Sequence, residues 1–163
     1  VVGMKKGFIA VLGSLAGAAA GAAAVGKFSQ QIAEDKDKKI NKFKSYYNML
    51  NQWLVIRQEG GRLNEYFNKN DYAKIAVYGL GEMGSRLIDE LKETKTEIVY
   101  GIDQNVENTF SGIPVYTLEN VPMDEKVDAV VVTAVFAFDE IKEQLENIFE
   151  CDIISLEDVV FEF

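Results

Sequence analysis

The stretch Lys74-Ile75-Ala76-Val77-Tyr78-Gly79-Leu80-Gly81-Glu82-Met83-Gly84-Ser85 joins a five-residue apolar run to a G-x-G-x-x-G. The run K-I-A-V-Y suits a buried strand, and the residues Ser85–Lys92 after the glycines have the spacing of an amphipathic helix. A second strand is expected over Glu97–Ile102, ending at Asp103, nineteen residues beyond Gly84. Each position has a physical reason. Gly79 permits a tight turn, Gly81 lets a pyrophosphate approach the backbone, and Gly84 allows close packing of helix on strand. The helix N-terminus offers unpaired N–H groups and a partial positive charge to phosphates. Asp103 would accept hydrogen bonds from ribose hydroxyls, and its charge disfavours a 2′-phosphate, so NAD is favoured over NADP. A G-x-G-x-x-G alone is common, and such turns also persist in domains that have lost their ligand. Here the strand before, the helix after and the acid at that distance agree.

Downstream, Gly112–Tyr116 reads as a short extended piece and Val127–Thr133 as a near-continuous apolar strand of the kind found inside parallel sheets. A helix over Asp139–Phe149, a strand over Asp152–Ser155 and a terminal turn over Leu156–Phe163 complete the pattern. Strands alternating with helices predict an α/β, Rossmann-like parallel sheet of about four or five strands over 71–163, preceded by a long N-terminal helix. Ligands of such sheets sit at the carboxyl ends of the strands. The expected cofactor-binding residues are therefore Gly79, Leu80, Gly81, Glu82, Met83, Gly84, Asp103 and Thr133, with NAD or another nucleotide or nucleotide-sugar as the ligand. Phe136 and Phe138, in the loop after Thr133, are either core residues or an apolar wall for a ring.

Composition narrows the chemistry. The 163 residues give room for one domain and an appendage. There is no histidine, which removes the commonest general base and most catalytic zinc sites. A single cysteine, Cys151, excludes an intrachain disulfide and reads as a small core residue. The acidic pairs Asp124-Glu125 and Asp139-Glu140 lack His or Cys company and read as solvated helix starts, so no metal site is expected. Residues 1–70 carry 11 Lys/Arg against 5 Asp/Glu, a net of +6, whereas residues 71–163 carry 6 against 21, a net of −15. The acidic half would repel a phosphate backbone at long range, which argues against a nucleic-acid partner.

Residues 1–27 form a hydrophobic Gly/Ala-rich segment. Gly7–Gly26 is uncharged over twenty residues, about 30 Å as a helix and enough for a bilayer. Eight of the twenty are Ala and five are Gly, so its hydrophobicity is marginal. Three readings stand: a membrane anchor, a cleaved signal peptide ending near Ala22-Ala23-Ala24, and a soluble helix. The lysines on its C-terminal side favour an anchor with the nucleotide-binding domain in the cytoplasm. Gly13, Gly17 and Gly21 share one helix face, where a second helix can approach closely in lipid. Residues 28–70 read as an amphipathic helical linker. Ile40, Phe43, Tyr47, Leu50 and Leu54 alternate in steps of three and four, widened by Tyr46, Met49 and Trp53, and Gly60-Gly61 ends the helix. This face either packs on the chain's own domain or makes a homo-oligomer as a coiled coil. A short helix over Arg62–Asn68 follows.

Between Lys74 and about Ser155 the chain resembles the NAD(P)-binding Rossmann region of nucleotide-sugar proteins in cell-surface polysaccharide synthesis. The resemblance rests on Gly79-Leu80-Gly81-Glu82-Met83-Gly84, the strand end Val99-Tyr100-Gly101-Ile102-Asp103, the segment Gly112-Ile113-Pro114-Val115 and the strand Val127-Asp128-Ala129-Val130-Val131-Val132. It is similar there to the N-terminal domains of capsule nucleotide-sugar dehydratases/epimerases and of sugar O-acyltransferases. Potassium-channel regulatory (RCK) domains also look similar over Gly79–Asp103. The resemblance implies a fold and a ligand class and carries over no catalytic residue. The epimerases use a Tyr-x-x-x-Lys pair, and no tyrosine here has a lysine four residues on; the acyltransferases use a histidine. Three functions follow: a membrane-associated, accessory or regulatory nucleotide-binding module, an oxidoreductase or epimerase fragment completed by a partner, and an empty Rossmann scaffold for oligomerisation.

Overall fold

The computed structural model describes residues 36–106 and 112–163. Residues 7–26, with Gly13, Gly17 and Gly21, lie outside the described residues. The chain divides into two compact units, 1–44 and 45–163. In the first, residues 36–44 are helical, with Ile40 and Phe43 exposed. The helix, α1, is described over 36–58. Its end has a capping geometry that the paired glycines dictate. Gly60 sits at φ +87°, the Gly61 N–H donates to the Ile56 carbonyl and the Gly60 N–H to that of Arg57. That is the Schellman arrangement, which satisfies carbonyls the helix would otherwise leave free.

In the second unit, α2 (Asn64–Lys69) leads into β1 (Lys74–Tyr78), α3 (Glu82–Leu91), β2 (Glu97–Ile102) and β3 (Val115–Tyr116). Then come β4 (Ala129–Val132), α4 (Phe138–Glu146), β5 (Asp152–Ser155) and α5 (Leu156–Phe161). The five strands are all parallel in the order β3-β2-β1-β4-β5. The fold is therefore α/β and Rossmann-like, with the N-terminal helix ahead of it. The order reverses between β1 and β4, so the crevice at their carboxyl ends is the topological switch point.

Two cores cover the two faces. On one, Ile75, Val77, Ala129 and Val131 of the sheet pack with α3 and α5 and with Met49, Trp53 and Ile56 of α1. On the other, Ala76, Tyr100, Ile102, Val130 and Val132 pack with Leu145 and Phe149. The alternation along β1 and β4 follows from the two-residue period of a strand. α3 buries Leu87, Ile88 and Leu91, each contributing about 1.5–3 kcal/mol. The apolar residues of α1 in this unit split in two: Met49 and Trp53 are buried, whereas Tyr47 (69%), Leu50 and Leu54 (55%) are exposed. The face that packs on the sheet is the widening set, and the three-four stripe points elsewhere.

The amino edge of the sheet is tied by side chains. The Asp128 carboxylate accepts the Ala73 and Lys74 N–H groups at 2.9 and 2.7 Å, and the Tyr72 hydroxyl donates to Asp152 at 2.7 Å.

Candidate functional site

The glycine turn lies at the carboxyl end of β1, at the switch point. Gly79 has φ +89°, a conformation that costs a residue with a Cβ but not glycine. Its N–H donates to the Ile102 carbonyl at 2.8 Å, which extends the β1–β2 ladder by one step. Its carbonyl accepts the Thr133 hydroxyl at 2.6 Å. Thr133 is itself buried, and its own N–H donates to Tyr78. Thr133 thus stands at the site as a clamp on the turn, its hydroxyl committed to backbone.

Leu80 turns its side chain inward against Gly101, where a Cβ would collide with it. Its N–H donates to Asp103 Oδ2 at 2.7 Å, and Asp103 Oδ1 accepts from the Asn105 N–H at 2.9 Å. The acid expected to face a ribose is also a latch that ties the end of β2 to the glycine turn. Each carboxylate oxygen can accept more than one hydrogen bond, and Asp103 is half-buried, so the two roles are compatible.

The remaining glycines separate by what surrounds them. A Cβ on Gly84 would meet the Gly79 carbonyl oxygen inside any real contact distance, whereas a Cβ on Gly81 would have nothing within 4 Å. Gly84 is there for packing. Gly81 borders open space. It is also the N-cap of α3, with no side-chain cap, and the Ser85 N–H makes the first helical bond to its carbonyl at 3.0 Å. The amides of Glu82, Met83 and Gly84 donate to no partner among the described residues. Free amides at the start of a ten-residue helix, beside the open space at Gly81, are groups that can hold an anion. The helix was expected to start at Ser85 and begins three residues earlier, because Gly81 serves as its cap. Glu82 and Met83 therefore contribute backbone rather than side chains.

The loop after β4 curls into a short 3-10 turn, Val135–Ala137. Phe136 is 52% exposed and makes an edge contact with Tyr46 at 6.0 Å, so it is not a core residue; Phe138 is half-buried against the second core. A cavity of about 340 Å³ opens here, lined by Phe136 and Phe138 and by Asp139, Glu140, Glu157 and Asp158. Four carboxylates beyond β4 disfavour phosphate on that side. The glycine turn on the β1 side is where an anion would be held. Among the described residues no group of His, Cys, Asp or Glu could hold a metal ion, and no helix is long and apolar enough to cross a membrane.

The structure thus brings Gly79, Leu80, Gly81, Glu82, Met83, Gly84, Asp103 and Thr133 together at the carboxyl ends of β1, β2 and β4. The Leu80–Asp103 latch and the inward turn of Thr133 were not foreseen. A threonine directly after a β4 strand that flanks a glycine turn was the one available signal. No curated protein and no solved structure matches the chain. The family model of the C2185-like N-terminal domain matches residues 71–154, just over half of the chain, so the chain belongs to the C2185-like family.

Proposed function

We propose that this chain is a membrane-associated module that binds a dinucleotide or nucleotide-sugar, with NAD as the first candidate, and acts as an accessory or regulator in cell-surface polysaccharide synthesis. The observation that carries the binding part is the opening at Gly81, a position free of neighbours over the unpartnered amides of Glu82, Met83 and Gly84. A diphosphate supplies the acceptors those amides lack, and Asp103 supplies an acceptor for a ribose. The polysaccharide context rests on the resemblance of Gly112-Ile113-Pro114-Val115 and the neighbouring strands. The membrane placement rests on the uncharged run 7–26 and the lysines after it, which favour a cytoplasmic domain.

Self-association is part of the proposal. Tyr47, Leu50 and Leu54 are large, apolar and exposed on a helix whose other apolar face is already used. A three-four spacing is that of a coiled-coil seam, for which a second copy is the natural partner.

The test is calorimetry on the full chain with NAD, NADP, UDP-sugars and ATP, alongside Gly81→Val. Micromolar binding of one of them, lost in the variant while the fold persists, supports a loaded site. A folded chain that binds none of them would leave the glycine turn as scaffold. Turnover of a nucleotide-sugar by the purified chain would favour an enzyme over an accessory module.

A further inference from the structure

A second cavity, of about 390 Å³, lies at the opposite edge of the sheet from the glycine turn, where the chain enters β4 and β5. Its volume falls within the range of small-molecule sites. Its walls are Met123, Val127, Ile148 and Phe149, and Cys151 and Tyr100 also face it. Met123 and Ile148 stand at the rim as exposed apolar side chains, while Phe149 is buried.

Tyr100 is the informative residue. It belongs to β2 and is 1% exposed. Ala76 pairs with it across β1 and with Val130 on the other side, and this small residue leaves the ring room to reach across the sheet. Tyr100 lines the cavity together with Cys151 and Glu125. Its phenol oxygen makes no hydrogen bond to another described residue, and it is not among the sealed orphan atoms, which are Asn64 Oδ1 and Thr96 Oγ1, so the cavity that Tyr100 lines reaches it. Burial, helped by Cys151 and Glu125, pushes the phenol up to about 12, so at neutral pH it keeps its proton and can donate it to an acceptor in the cavity.

The charge around the cavity limits what can supply that acceptor. Glu125 and Glu150 outnumber Lys126 at the rim. Asp152 and Asp128 add to the burial that holds the Cys151 thiol above its ordinary range. The local potential is negative, which disfavours a carboxylate or phosphate.

We propose that this cavity is a second small-molecule site, which takes a neutral aromatic or heteroaromatic ring bearing a hydrogen-bond acceptor for Tyr100. The ring packs against Val127, Ile148 and Phe149, and the acceptor meets the phenol at the base. The site is independent of the glycine turn and lies at the other end of the strands, so both can be filled at once.

Cys151 is the only cysteine of the chain, so its alkylation by iodoacetamide reports directly on occupancy. The probe is benzamide, with benzoate as its anionic counterpart, on the full chain. Benzamide is expected to slow labelling of Cys151 with a half-effect in the roughly millimolar range that so few atoms allow. Benzoate should need a several-fold higher concentration, and NAD should give no protection. Tyr100→Phe should raise the half-protecting concentration of benzamide about two- to ten-fold, with protection of each chain read against its own unprotected labelling rate. Equal protection by benzoate, absence of protection, or an unchanged concentration in Tyr100→Phe would each overturn the proposal. Amide shifts of Lys126, Phe149 and Cys151 in the unmodified chain give a second measurement that needs no variant: benzamide must move them, and their silence would also overturn it.

Discussion

Two alanine substitutions, Gly81→Ala and Gly84→Ala, should separate the roles of the glycines. At Gly84 the new methyl meets the Gly79 carbonyl oxygen, a backbone atom that cannot swing aside. Overpacking of this kind costs about 1–3 kcal/mol. At Gly81 the methyl meets nothing, and the backbone, at φ −66° and ψ −158°, is open to any residue. Alanine there gains about 0.4–1 kcal/mol by restricting the unfolded chain and loses a similar amount because glycine is the better N-cap. The net effect on stability should be within about 0.5 kcal/mol of zero. Urea unfolding of the full chain, followed by circular dichroism, reads both. With a slope of about 2 kcal/mol per molar, Gly84→Ala should lower the midpoint by about 0.5–1.5 M and Gly81→Ala should barely move it. Nucleotide binding should reverse in part: Gly81→Ala, with an intact fold, should weaken NAD binding by about ten-fold or more, since its methyl enters the path of the diphosphate. Equal midpoints for the two variants would refute the packing assignment of Gly84. Normal NAD binding by Gly81→Ala would refute the assignment of the opening to phosphate.

Other expectations are simpler to check. Thr133→Val removes the donor to the Gly79 carbonyl in a buried place and should cost about 1–3 kcal/mol in the same unfolding assay, whereas Thr133→Ser should recover most of it. Leu50→Glu together with Leu54→Glu should lower the sedimentation mass of the full chain to that of a monomer; because both sites are exposed, each change should shift stability by less than about 0.5 kcal/mol. The Cys151 thiol is raised above its ordinary 9.0, mainly by burial. The folded state therefore favours the neutral thiol, and this contribution to stability is complete below pH 9 and fades as pH climbs through the raised value. Accordingly the pH at which iodoacetamide labelling accelerates should be higher for the folded chain than for the chain in urea. A coincident pair of profiles would contradict the burial of that side chain.

Much of the α/β unit was legible because its determinants are local. The run Lys74–Tyr78, the glycines and the acid at 103 required β1, a helix and β2 in register, and β1, β2 and β5 have the expected limits. The parallel, reversing sheet follows from alternating strands and helices. Legibility fell where tertiary contacts choose between equivalent local options. Both apolar sets on α1 have helical spacing, and only the sheet decides that Met49 and Trp53 go under while Tyr47 and Leu54 stay out. Phe136 and Phe138 were equivalent in sequence, yet the 3-10 turn separates them. Thr133 could have faced a ligand, but the positive φ of Gly79 brings a carbonyl within its reach. The cavity beside Tyr100 left no sequence signal, since its residues come from three separate segments.

The latch from Asp103 to Leu80 and the clamp from Thr133 to Gly79 hold the glycine turn in its bent form through the chain's own groups. In kinetic terms, a nucleotide would meet a surface that is already assembled and would have no loop to reorganise first. Association should then be a single step whose rate rises in proportion to concentration, with affinity differences among nucleotides carried by dissociation. It also means that the turn itself has little to report. If occupancy is sensed by another protein, what that protein reads is the bound molecule protruding from the crevice, rather than a rearrangement beneath it.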